Sequence, residues 1–169
     1  MDAHPIGTHS TDTLLDLLNS RPRVDGEDQD ALADPAGGRR WAREHGGDGG
    51  PAELALLREA RDTLQAVVRG EAPPTALSPL LEGVRQIPEL TADGLRWRVE
   101  TPPHARLAVA AVLAWAATEE QLPGRLRPCA NDECRLFLLD RSRANRARWC
   151  SMAVCGNRAK ARRHYQRTR

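Results

Sequence analysis

All four cysteines of this 169-residue chain fall between residues 129 and 155, spaced Cys129-x4-Cys134, then fifteen residues, then Cys150-x4-Cys155. Two short-spaced pairs joined by a longer segment suit a closed tetrahedral metal site. Each pair forms a turn that points two thiolates inward, and the intervening chain brings the turns together. Four protein ligands leave no open coordination position, so such a site is structural rather than catalytic. Zinc ranks first for a closed four-thiolate set with local spacing, ahead of rubredoxin-like iron. Two disulfides or free thiols are the remaining readings. Disulfide frameworks belong to exported chains, and Met1 to Ser20 shows no basic start followed by an apolar run.

Charge divides the chain at the same place. Residues 125–169 hold 13 Arg or Lys against 3 Asp or Glu, and residues 1–124 hold 12 against 20. A basic end on an acidic body points to a polyanion partner; a tail docked on its own body is the competing reading. The longest apolar run, Leu107 to Ala117, is about half of what a spanning helix needs. The expectation is a cytoplasmic protein without membrane contact.

The pattern along residues 1–124 predicts helices. Residues 1–10 read as a polar start. Thr11 or Asp12 caps a helix bearing Leu14, Leu15, Leu17 and Leu18, and 24–30 reads as loop. Asp34-Pro35 opens a helix with Trp41 that closes near Gly46. Gly46 to Gly50 reads as a flexible connector. Pro51 to Arg69 is the clearest helix, with Leu54, Leu57, Leu64 and Val68 as its buried stripe and Gly70 as its stop. Thr75 caps a short helix running as far as Ile87. Leu95, Trp97 and Val99 alternate with Arg96, Arg98 and Glu100, so strands are expected at about 89–92 and 95–100 around an Asp93-Gly94 turn. His104 to Glu120 is the most apolar helix and belongs at the centre of the core. Leu122-Pro123-Gly124 marks a boundary. The fold class is α+β: a mostly helical body with one β-hairpin over 1–124, and a small zinc module over 125–169.

No phosphate-binding glycine loop, nucleophile elbow or His-Glu-x-x-His occurs, and the five histidines are scattered, so an enzyme is not expected. Trp41, Trp97 and Trp115 lie on three predicted elements and are candidates to line a small-molecule effector pocket; ordinary core is the plainer reading.

The segment Trp149-Cys150-Ser151-Met152-Ala153-Val154-Cys155-Gly156-Asn157-Arg158-Ala159-Lys160 resembles the CGNR zinc-finger family. The first cysteine pair, Leu138 to Arg143 and the Arg148-Trp149-Cys150 approach are similar to it as well. Leu136 departs from the tryptophan common there. Leu15 to Ser20, the Trp41 helix and Leu57 to Arg61 resemble the ABATE domain that precedes this finger. The resemblance implies a treble-clef-like finger on a helical body, in bacterial stress-induced transcription regulators.

The basic residues supply the rest of the functional reading. With 156–167 helical, Arg158 and Arg162 lie along one side with the turn ending at Arg169, and Lys160, Arg163, His164 and Arg167 widen the positive surface. Arg162 and Arg163 are expected on the exposed part of that helix, away from the cysteines. Asn157 is a base reader or a helix cap. Arg141, Arg143, Arg146 and Arg148 form a loop suited to phosphate. Few aromatics are available for stacking, which favours duplex DNA over RNA; a protein-interaction module is the third reading. A homodimer is one option for the assembly.

Overall fold

Proline and glycine punctuate the helices where the sequence places them. The structure is a computed structural model and describes residues 8–24 and 26–167. The α1 helix spans Thr8–Leu18, so residues 8–10 of the polar start form its first turn, while residues 1–7 lie outside the described set. The α2 helix is Pro35–Glu44, capped by Asp34, whose carboxylate accepts from the Ala36 and Gly37 N–H groups. The α3 helix is Pro51–Arg69, stopped by Gly70 in the left-handed conformation. The α4 helix, Arg106–Gln121, lies against both α1 and α3 and buries Leu107, Ala108, Val109, Ala111, Val112 and Ala114. Small side chains on several faces let it approach two neighbours at once.

Four local expectations need correction. The 24–30 loop contains a short hairpin, β1 (Arg23–Val24) with β2 (Glu27–Asp28). The Gly46 to Gly50 connector is fastened: the buried Glu53 carboxylate accepts from the N–H groups of Asp48 and Gly49 at 2.9 and 2.7 Å. Gly49 sits at φ +75°, and a Cβ there would meet the Arg39 Cα at 2.7 Å, so only glycine fits. The helix expected to reach Ile87 is a 3-10 segment, Pro74–Leu81, and Ile87 lies in a strand. Strands β3 (Arg85–Thr91) and β4 (Gly94–Glu100) pair with Pro88 opposite Trp97, leaving Ala92-Asp93 as the turn. In a hairpin with a two-residue loop, that pair points its backbone groups outward, so the missing Pro88 N–H costs the ladder nothing.

The core also crosses residue 124. Strand β5 (Leu126–Pro128) pairs with β6 (Phe137–Leu139), and both Leu126 and Phe137 belong to the same buried cluster as Leu14, Leu57, Leu64 and Val112. At the end of α1, Asn19 grips Phe137 through both amide atoms. Its Oδ1 accepts from the Phe137 N–H at 2.7 Å and its Nδ2 donates to the Phe137 carbonyl at 3.2 Å. One side chain thus does for Phe137 what a neighbouring strand would do. The Arg69 guanidinium lies 4.6 Å over the Phe137 ring. The body's own polar core is the Arg61–Asp30 pair, with Arg61 2% exposed and bonded at 2.6 and 2.9 Å.

Candidate metal centre and basic surface

The β5–β6 hairpin ends in the turn that carries the first two cysteines. The Cys129 N–H bonds the Leu136 carbonyl and the Cys134 N–H bonds the Asn131 carbonyl, at 2.8 and 2.7 Å. The Ala130 N–H donates to the Arg148 carbonyl, tying this turn to the approach of the second pair. A π-helical turn, Met152–Gly156, then delivers Cys155 to the start of α5, Asn157–Arg167. The β5–β6 hairpin turn therefore carries two sulfurs, and the segment leading into α5 carries the other two, Cys150 just before the π-helical turn and Cys155 within it.

The four Sγ atoms lie within 4.8 Å of one another. Cys134–Cys150 and Cys150–Cys155 are 3.7 Å apart. A tetrahedron of thiolates around zinc places sulfurs about 3.8 Å apart, given Zn–S bonds of about 2.3 Å. None of the four cysteines is in a disulfide, so the alternative reading of two disulfides drops out. The donor set fits one zinc ion.

Without a cation, the cluster resists multiple ionisation. Burial pushes the Cys134 thiol up to about 11, and burial together with the nearby Cys134 sulfur pushes Cys150 above the ordinary range. Burial also opposes ionisation of Cys129, but N–H donors from Cys150 and Asn131 outweigh it and hold that thiol below its usual value. A dication reverses this balance by compensating the thiolates together.

Gly156 has a steric role. A Cβ there would lie 2.8 Å from the Met152 sulfur and 3.3 Å from the Trp149 ring. Trp149 is half-buried beside the site, and the Arg148 guanidinium lies 5.3 Å from its ring centre.

Asp140 organises the arginine loop that follows β6. Its side chain is buried and accepts from the Ser142 N–H, the Ala147 N–H and the Arg127 guanidinium, each at 2.8 Å. The Ser142 hydroxyl leads the effects that hold the Asp140 carboxyl at about 2, ahead of the backbone N–H donors. Arg125 donates to the Asp140 and Ser142 carbonyls. Arg127 also donates to Asn145, which takes the left-handed conformation at φ 48°. Two arginines thus brace the loop internally.

The predicted contact residues divide accordingly. Arg143, Arg146, Arg158, Lys160 and Arg167 are exposed, and none pairs with a carboxylate among the described residues. Arg141 is exposed but reaches Asp12 of α1 at 3.3 Å. Asn157 uses its side-chain amide to cap the turn before it, donating to the Ala153 carbonyl at 3.0 Å. His164 is exposed, with its ring edge-on to Tyr165. Arg162 is exposed, as expected, but it is not remote from the cysteines: it donates to Asn131 at 3.0 Å, and Asn131 touches Cys155. Arg169 and the Arg163 side chain lie outside the described residues.

The three tryptophans are not brought together. Trp41 is in the core and stacks on His45 with ring centres 4.0 Å apart. Trp115 packs half-buried against the core, and Trp97 is 52% exposed on the β3–β4 hairpin. A cleft of about 560 Å³ is lined by Trp41, His45, Asp16, Asn19 and Arg40, among others, but by neither Trp97 nor Trp115.

Fold and site define a helical body carrying a four-cysteine zinc finger with a basic terminal helix. Residues 125–168 match the family described as the CGNR zinc finger, and residues 11–122 match ABATE, described as "Putative stress-induced transcription regulator". The second match covers more than half of the chain, which therefore belongs to the ABATE family, with a CGNR finger following. Neither is an enzyme family. No curated protein matches the chain in sequence. Among the described residues, no helix is long and apolar enough to cross a membrane.

Asn19, Asn131 and Asp140 are the residues that sequence reasoning missed. Each acts through hydrogen bonds to chain segments it meets only on folding. Only Asp140 carries a local signal, an aspartate two residues before a serine at a strand end.

Proposed function

We propose that this chain is a non-catalytic cytoplasmic transcription regulator that binds duplex DNA through its zinc finger. The observation that carries the reading is the exposed set Arg143, Arg146, Arg158, Lys160 and Arg167 on the loop and helix bracketing the metal centre, with no carboxylate engaging it among the described residues. Paired elsewhere, these cations would be structural; left exposed, they fit a phosphate backbone. Tyr165, 72% exposed, is a single platform, fewer than single-strand stacking uses. For the body we propose effector sensing at the Trp41–His45 cleft. For the assembly we propose a homodimer that covers the exposed Leu90, Leu95 and Trp97 of the β3–β4 hairpin.

Electrophoretic shift with duplex DNA, single strands and structured RNA over a salt series tests the central claim. Tightest binding to duplex is expected, with log affinity falling against log salt at a slope of about −4 to −5 for five phosphate contacts. Preference for single strands or RNA would overturn the duplex reading. Absence of salt-dependent binding would leave a protein-interaction module.

A further inference from the structure

A finished tetrahedron of cysteinates around Zn(II) carries a formal charge of −2, and buried negative charge needs donors. Backbone N–H groups serve part of this need: the Cys150 N–H lies 3.5 Å from the Cys129 sulfur. For Cys155 the donor is a side chain. Asn131 is 1% exposed, and its Nδ2 lies 3.7 Å from the Cys155 Sγ. On the other side of the same amide, the Arg162 Nη2 lies 3.0 Å from the Asn131 Oδ1.

The orientation of that amide follows from its partners. Guanidinium nitrogens only donate, so the atom facing Arg162 must be the amide oxygen. The NH₂ group then has to face the sulfur. Arg162 thereby selects the orientation in which Asn131 can donate to a thiolate, and polarises the amide so that it donates more strongly. Arg162 stands on α5, about two turns beyond Cys155, whereas Asn131 lies between Cys129 and Cys134. The chain Arg162–Asn131–Cys155 therefore stitches the two halves of the finger together through one ligand.

We propose that Asn131 and Arg162 are positioning residues of the metal centre: Asn131 stabilises the Cys155 thiolate by hydrogen bonding, Arg162 fixes the amide in the donating orientation, and the pair ties the placement of the basic helix to metal occupancy. Arg162 is thereby withdrawn from the phosphate-binding set. This rests on the zinc reading of the four cysteines and does not depend on DNA binding.

The test uses full-length zinc-loaded protein and follows zinc loss to excess chelator with a colorimetric indicator. Asn131→Asp keeps the shape and can pair with Arg162 more strongly, but presents oxygen to the sulfur in place of N–H. It should release zinc about 10- to 100-fold faster. Arg162→Ala should also accelerate release, whereas Arg162→Lys, which still donates to the Asn131 oxygen, should restore most of the wild-type rate. Gln166→Ala, exposed one turn farther along α5, should leave the rate unchanged. Cobalt substitution gives a second readout, because loss of the amide donor should shift the thiolate-to-cobalt charge-transfer band in Asn131→Asp. Wild-type release and an unshifted band in Asn131→Asp would overturn the proposal. So would equal acceleration by Arg162→Ala and Arg162→Lys. Should zinc fail to bind the wild-type chain at all, the zinc reading itself fails, an outcome separable from either of these.

Discussion

The body and the finger are held together by different means. In the body, leucines and alanines on α1, α3 and α4 remove apolar surface from water, and polar groups enter that core as the Arg61–Asp30 pair and its neighbours. In the finger, beyond Leu126, Phe137 and Leu138, the buried groups among the described residues are two cysteines, Asn131, Asp140, Gly156 and Ala159. The body can fold on its pattern of apolar residues. The finger has its hairpin lodged in the body's core, while the rest relies on a metal and on single polar side chains. A module this small lacks the surface burial to do otherwise.

The sharpest way to break this comparison is to remove the metal. Cys150→Ser should abolish stoichiometric zinc by elemental analysis and melt the finger, because structural zinc supplies about 10–16 kcal/mol of apparent binding free energy. Most helical circular dichroism should remain. If α1 to α4 unfold as well, the two regions are one cooperative unit.

Phe137 tests the join. Phe137→Ala removes a fully buried ring from the shared cluster and should cost about 3–5 kcal/mol of stability by chemical denaturation. A chain ending at Gly124 loses Leu126 and Phe137 together and leaves Asn19 without its partner. It should melt well below the full chain; an unchanged midpoint would show that the body stands alone.

Asp30 tests the body by itself. Burial opposes its charge, but the Arg61 guanidinium and the Leu32 N–H outweigh burial and hold its carboxyl below the usual value. A depressed folded value means that the stabilisation is complete above about pH 4 and is lost as the pH falls through the folded value. Asp30→Asn leaves the buried Arg61 without its main counter-charge and should cost about 3 kcal/mol at neutral pH. Its acid denaturation limb should be flatter than that of the wild type. Parallel limbs would show that the pair does not titrate with folding.

The smallest effect separates exposed arginines from bracing ones. Arg167→Ala should weaken duplex binding and flatten the salt slope by about 1, with zinc retained. Arg127→Ala should instead loosen the Asp140 loop, seen as faster proteolysis between residues 141 and 148. If both behave alike, the division of the basic residues is wrong.

Much of this is legible in the sequence itself. Caps and stops are local chemistry, so Asp34-Pro35, Pro51 and Gly70 gave their helix ends. Thiol spacing is equally local and led directly to the four-sulfur cluster. Residues 81–88 mislead because Leu77, Leu80, Val84 and Ile87 keep a helical period across Gly83, which adopts φ +74° between the end of the 3-10 segment and the start of β3. Arg162 misled because a helical wheel orders a helix's own faces and is blind to Asn131, thirty-one residues earlier. The tryptophan pocket failed for a related reason: sharing an aromatic type gives no information on proximity, and Trp97 rides a hairpin outside the core.

The Asn19 clamp sets an order of events during synthesis. Its partner lies 118 residues downstream, a stretch that takes about 6 to 24 s to translate at usual rates of 5–20 residues per second. Throughout that interval the end of α1 holds an amide with no strand to receive it, and the Phe137 slot in the core stays open. The N-terminal helices can collapse early, but their last contact waits for the finger to emerge. A nascent chain stalled before residue 137 would therefore present an unfilled seam, the place where a chaperone or protease would find it.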